Sequence, residues 1–219
     1  RQAHNHGQVA FLNDKCIRKL PKMFGKLKRV KKLDLYNNRL NELPESIVNL
    51  KKLEELSLGK NELKELPKSF GKLENLKELY LFHNRLMRLP ESFGKLTNLE
   101  SLNLVMDKLT KLPESFRNLE NLKKLVLWDN KLTSLPESIG NLTNLEILHL
   151  EENELTSLPE SIGKLKNLKK LWLGSNNLKS LKGLTAEQLA NLKYFFYDKD
   201  SFSNELNDRI RKCRESDDP

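Results

Sequence analysis

The chain is poor in most of what marks an enzyme, a metal protein or a disulfide-stapled domain. It has two cysteines in 219 residues, Cys16 and Cys213, so there is no disulfide framework and no cysteine pair at zinc-ligand spacing. Its four histidines (His4, His6, His83, His149) include no His-Glu-x-x-His, and no glycine-rich loop leads into a helix. His4-Asn5-His6 shares its spelling with a nuclease motif of which nothing else is present, and we read it as part of a frayed terminus. The expectation is no catalytic residue, no metal and no cofactor. The chain is therefore not expected to be an enzyme. No apolar run approaches the roughly 18 residues that span a bilayer. Residues Arg1 to Gly7 lack the apolar centre of a signal peptide. The first residue is Arg and not Met, so a mature or trimmed form is expected, with any export signal not shown.

What the chain has instead is a period. Leu122-Lys123-Lys124-Leu125-Val126-Leu127-Trp128-Asp129-Asn130-Lys131-Leu132 reads L-x-x-L-x-L-x-x-N-x-L. The same frame starts at Val30, Leu53, Leu76, Leu99, Leu122, Leu145 and Leu168, always 23 residues apart. Self-similarity at one fixed period marks a solenoid, in which each repeat contacts mainly its neighbours. Hydrophobic residues make up only 37% of the chain and charged residues 32%. A regular minority of leucines thus supplies the core, and charge coats the outside.

Within the frame the L-x-L portion alternates, as a short strand does, with leucines facing in and the residues between them facing out. Successive strands pair into a parallel sheet. The Asn column (Asn38, Asn61, Asn84, Asn130, Asn153, Asn176, with Asp107 substituting once) is expected to be buried. Its amides should bond the backbone of adjacent turns. The outer half reads Leu-Pro-x-Ser-[Ile/Phe]-Gly-x-Leu, as in Leu89-Pro90-Glu91-Ser92-Phe93-Gly94-Lys95-Leu96. That spacing predicts one 3₁₀ or short helical turn per repeat, with Phe24, Ile47, Phe70, Phe93, Phe116, Ile139 and Ile162 plugging the core beneath it.

The organisation follows from the frame. Residues 1–29 form a degenerate N-terminal capping repeat, in which Gly7, Ala10, Leu12, Lys15 and Ile17 occupy the consensus positions and a strand is expected near 11–13. Residues 30–178 carry the seven repeats. Residues 179–219 hold a degenerate repeat and a C-terminal cap, where Thr185 starts a helix as its N-cap. There Leu192-x-x-Phe195-x-Tyr197-x-x-Asp200-x-Phe202 is an eighth frame whose aromatics replace leucines and are assigned to the core. Phe202, Leu206 and Ile210 follow at the spacing of a short amphipathic helix. Cys16 and Cys213 lie about eight strand steps apart, roughly 35–40 Å, which excludes a bond between them within one chain. An intermolecular bond is left open.

These residues carry a resemblance. The frame is similar to that of the leucine-rich-repeat family, over about nine tenths of the chain. The resemblance implies an α/β solenoid: a curved horseshoe with a parallel concave β-sheet, short 3₁₀ or helical turns on the convex side and a helical C-terminal cap. The Leu-Pro-x-Ser-[Ile/Phe]-Gly-x-Leu unit resembles a bacterial type, found also in intracellular plant and animal scaffolds. Lys164-Leu165-Lys166-Asn167-Leu168-Lys169-Lys170-Leu171 looks most like the expanded families of pathogenic spirochaetes. That likeness implies a secreted or surface-displayed protein in contact with host proteins. The alternative is an intracellular scaffold in the cytoplasm, with the same recognition physics.

The informative positions are those that the repeat does not dictate. Outward residues of the concave strands gather both tryptophans of the protein and two of its four tyrosines. Phe82, Val105 and Trp128 occupy one position on three adjacent strands, flanked by Tyr80, His83, Met106 and Val126. Tyr36, His149, Glu151 and Trp172 share the wall. Aromatics and Met are enriched at interface centres. We therefore expect a protein partner here, with Glu151, Glu152 and Glu154 on one rim and Lys60 and Lys108 on the other. The acidic rim residues are read as a solvated face and not as a cation site. The alternative rests on the net charge of +9: weak polyanion binding (sulfated glycan, envelope lipid or nucleic acid) through the basic N-terminal end. Oligomeric state, including self-association through the concave patch or Cys213, is left open.

Overall fold

The computed structural model describes residues 8–199, 202, 207, 208 and 210–212. Among these residues nine three-residue strands lie in one parallel sheet in sequence order: β1 (Val9–Phe11), β2 (Lys32–Asp34), β3 (Glu55–Ser57), β4 (Glu78–Tyr80), β5 (Ser101–Asn103), β6 (Lys124–Val126), β7 (Ile147–His149), β8 (Lys170–Trp172) and β9 (Tyr194–Phe196). The register follows the 23-residue period. Leu33 pairs with Leu56, Leu56 with Leu79, and so on to Leu148 with Leu171. At the N-terminal end Ala10 pairs with Leu33, so β1 occupies 9–11 and not the 11–13 expected from sequence. The strand must align its inward residue with the leucine column, and Ala10 is that residue.

The central strand residue of every full repeat is a leucine at 0–1% exposure, and the leucines at the other frame positions are buried with it. Fully burying one such side chain contributes roughly 1.5–3 kcal/mol. A single repeat has no opposing wall to bury it against, so the repeats stabilise one another. On the far side of the core a 3₁₀ turn closes each repeat, for example Glu91–Lys95 and Glu114–Asn118. Six of the seven turns follow a proline held near φ −70° and ψ 150°. The ring presets φ and the missing N–H would have been unpaired at that position anyway. The third turn, Phe70–Lys72, starts later, after Ser69. Beneath the turns Phe70, Phe93 and Phe116 stack at 6.1 and 5.6 Å between ring centroids. Glycine is required where turns press closest: a Cβ on Gly71 would lie 1.7 Å from the Ser92 carbonyl oxygen.

The period lengthens by one residue before β9. Helix α1 (Ala186–Asn191) fills the gap, opened by a capping box in which the Gln188 amide donates to Thr185 Oγ1 and the Thr185 amide to Gln188 Oε1. Phe202 (9% exposed) and Ile210 (2%) join the core as expected, whereas Leu206 and Cys213 fall outside the described residues.

Candidate functional site on the concave sheet

The wall is held in place by the Asn column. Asn130 Nδ2 donates to the carbonyls of Leu104 and Leu127, and its Oδ1 accepts from the Leu109 amide at 3.0 Å. One side chain therefore ties its own turn to the preceding repeat. Asn38, Asn61, Asn84, Asn153 and Asn176 repeat this pattern. All are buried at 6–7% exposure except Asn176, which is only half-buried. Asp107 is the exception in chemistry. Its Oδ1 accepts from Leu86, its buried Oδ2 has no partner among the described residues, and burial pushes its carboxyl up to about 8. A second ladder was not foreseen. Asn75, Asn98, Asn121, Asn144 and Asn167 each donate to a carbonyl 24 residues earlier, at 2.7–2.9 Å. The signal was in the sequence, as an Asn recurring just before the first Leu of the frame.

Between the ladders the outward side chains meet in two groups. In the first, the rings of Tyr36 on the β2 side and Phe82 on the β4 side approach to 5.9 Å, across β3. They can do so because Gly59 lies between them, where a Cβ would come within 2.5 Å of the Phe82 ring. Lys60 Nζ stands 5.4 Å from the Tyr36 ring centroid. In the second group Trp128, His149 and Trp172 form a continuous stack, with centroids 6.4 and 4.9 Å apart and interplanar angles of 24° and 28°. Glu151 Oε2 meets His149 Nε2 and fixes the middle ring. The Tyr80 hydroxyl donates to Glu78, and that hydrogen bond, aided by burial, pushes the phenol up to about 12.

Other expected residues fall between the groups or beside them. Val105 is half-buried at the frame position between Phe82 and Trp128, Met106 (37%) and His83 are exposed, and Val126 keeps only 8% of its surface. Val126 therefore offers a partner little. Residues such as Asn37, Lys60, His83, Met106, Asp129 and Glu152 sit in the turn at φ +51° to +59°, one per repeat, a region that non-glycine residues seldom occupy.

In the last frame the aromatics that replace leucines, Phe195, Tyr197 and Phe202, lie in or against the core as expected. The other two, Tyr194 (57% exposed) and Phe196 (51%), do not. Strand alternation turns them outward. Phe196 pairs in register with Trp172 and its ring covers Gly174, so it extends the aromatic row by one strand. At the other edge Phe11 is 71% exposed. A separate open depression of about 540 Å³ lies beside the Leu-Pro turns, lined by Leu66, Leu89, Pro90 and Pro113 with Arg88 and Lys111. It contains none of the expected site residues. Among the described residues no group of three or more His, Cys, Asp or Glu could hold a metal ion, and no helix is long and apolar enough to cross a membrane.

Period, amide ladder and sheet together define a parallel-sheet solenoid with a structurally fixed backbone and a variable concave wall. The description "Leucine-rich repeat region" matches residues 11–83 and 114–212, and that of paired leucine-rich repeats matches 74–118. The chain belongs to the leucine-rich-repeat family, and its repeats are of bacterial type. Among solved structures it is similar to a leucine-rich-repeat protein of Leptospira interrogans (37% identity, TM-score 0.65), covering 85% of this chain and 54% of that one. It is also similar to the plant peptide hormone receptor RGFR1 in complex with RGF2 (29% identity, TM-score 0.73, 82% and 30%). A third is YopM, a leucine-rich effector protein from Yersinia pestis (26% identity, TM-score 0.70, 87% and 49%). The chain thus spans about half the length of the two bacterial proteins. Comparison with curated protein sequences gives no match.

Proposed function

We propose that the protein is a non-enzymatic recognition module that binds a protein partner on its concave face. The observation that carries this reading is the Trp128–His149–Trp172 stack on a sheet face that nothing covers among the described residues. Large rings in contact and half open to solvent are the groups that interface centres use. Tyr36, Tyr80, Phe82, His83, Val105, Met106 and Glu151 complete the contact surface, and Phe196 joins it. The RGFR1 complex with RGF2 supports a ligand-binding use of such solenoids. The Leptospira likeness supports a bacterial protein of the spirochaete group. Secretion or surface display, and contact with a host protein, are the setting we propose for it.

The polyanion alternative gains no specific support. At the basic end Lys19, Lys31 and Lys32 are already paired with Glu42, Glu54 and Glu55. The test is capture from host-cell surface extract and bacterial lysate at low and high salt, with the intact protein and a folded Phe82→Ser/Trp128→Ser variant. Capture at both salts that the variant loses supports the concave face. Capture that survives the variant but vanishes at high salt contradicts it, because loss on raising salt is the mark of polyanion contacts.

A further inference from the structure

Charge is distributed unevenly along the concave wall. In the first three repeats Glu42, Glu54, Glu55 and Glu62 each hold a Lys or Arg. Further along the chain Glu100, Glu146 and Glu160 still hold Lys123, Lys169 and Lys182. Beside the aromatic stack Asp129, Glu152 and Glu154, by contrast, form no ion pair among the described residues, although the chain carries a net charge of +9. Asp129 and Glu152 occupy the turn position on adjacent repeats, each directly after Trp128 or Glu151. Unpaired carboxylates therefore border one side of a row of open rings that runs Trp128, His149, Trp172, Phe196.

From this we infer that the C-terminal half of the concave face takes an extended, arginine-containing segment of the partner protein, running along the solenoid axis. The inference rests on the concave-face reading above. Arginine suits both halves of the wall. Its aliphatic stem and flat guanidinium pack on aromatic rings, while its donors reach carboxylates in bidentate fashion. From β6 to β9 the wall spans three strand steps, about 14 Å. An extended chain covers that length with about four residues and directs alternate side chains at the sheet. An acidic or neutral segment would leave Asp129 and Glu152 facing like charge or no charge. A basic segment compensates them locally, against the repulsion of a protein that is cationic overall.

That overall repulsion makes a simple probe discriminating, since a polycation has no general reason to bind a protein of charge +9. Both tryptophans of the protein lie in the row, so intrinsic fluorescence reports it directly. The experiment titrates the intact protein with a blocked octapeptide of alternating Gly and Arg, and with octapeptides carrying Glu or Ser in place of Arg. Only the Arg peptide is expected to change the tryptophan emission. Asp129→Asn/Glu152→Gln should weaken its binding at least about tenfold. A control with the same charge change outside the wall, Glu91→Gln/Glu114→Gln, should leave binding as it was. An unchanged emission with the Arg peptide overturns the inference, as does equal binding by Asp129→Asn/Glu152→Gln. The broader reading is tested apart from it. A captured partner that is lost with Phe82→Ser/Trp128→Ser but is indifferent to Asp129→Asn/Glu152→Gln keeps the concave face and overturns the basic segment.

Discussion

Asp107 Oδ1 accepts a hydrogen bond from the Leu86 amide at 2.9 Å, the bond that Asn130 Oδ1 accepts from Leu109 one repeat later. The second half of the amide's work is missing. Asn130 donates from Nδ2 to the carbonyls of Leu104, Leu127 and, at longer range, Trp128, whereas the buried Asp107 Oδ2 has no partner among the described residues. A protonated carboxyl can donate there and a carboxylate cannot. This is the physical sense of a pKa raised to about 8, with burial as the main cause.

The pH consequence has a definite sign. The folded carboxyl titrates near 8 and the unfolded one near 3.9. Between those values the folded state holds a proton that the unfolded state has released, so stability falls as pH rises from about 4 to about 8. Asp107→Asn removes this dependence and restores the donor. Urea unfolding should find the variant little changed at pH 4 and more stable by on the order of a few kcal/mol at pH 8. Equal stabilisation at both pH values would show that Asp107 is not the titrating group. The exposed ion pairs common to both proteins cancel in the comparison.

The two ladders should differ in weight. Asn130→Ala strips partners from the Leu109 amide and the Leu104 and Leu127 carbonyls, all buried, and should cost roughly 2–4 kcal/mol. Asn98→Ala removes one exposed bond to the Glu74 carbonyl and should cost about 0.5–1.5 kcal/mol. Chemical denaturation of both variants measures the ratio. Similar losses would mean that burial does not set the cost.

Two crowded glycines should respond differently. At Gly71 an added methyl meets a backbone carbonyl, and Gly71→Ala should destabilise by about 1–3 kcal/mol. At Gly59 it meets the end of the Phe82 ring, which can swing away. Gly59→Ala should leave the melting temperature nearly unchanged while separating Tyr36 from Phe82, visible as a change in the near-ultraviolet circular dichroism. A large loss of stability at Gly59 would show that the ring is not free to move.

Much of this was legible before the structure. A 23-residue frame with Leu at fixed places sets strand positions, register and the Asn column, because one geometry must serve every repeat. Where the repeat decays, the reading slipped. At β1 the small Ala10 stood in for Leu and the strand was expected two residues late. At β9 the frame placed Phe195 and Tyr197 inward correctly, but Tyr194 and Phe196 were not added to the exposed wall, because aromatics at both kinds of position do not separate core from surface by chemistry. Only the alternation does, and it turns Tyr194 and Phe196 outward. The ring contacts were less legible still. That Tyr36 reaches Phe82 depends on the absence of a side chain at Gly59, and that His149 joins two tryptophans depends on ring orientation.

The most direct test of the concave-face reading uses those two tryptophans. Once a partner has been captured, acrylamide quenching of tryptophan fluorescence is compared for the free protein and for its complex with a partner variant lacking tryptophan. If the partner seats on the wall, Trp128 and Trp172 are covered together and quenching drops several-fold. A stable complex whose tryptophans remain as open to acrylamide as in the free protein would place the partner elsewhere.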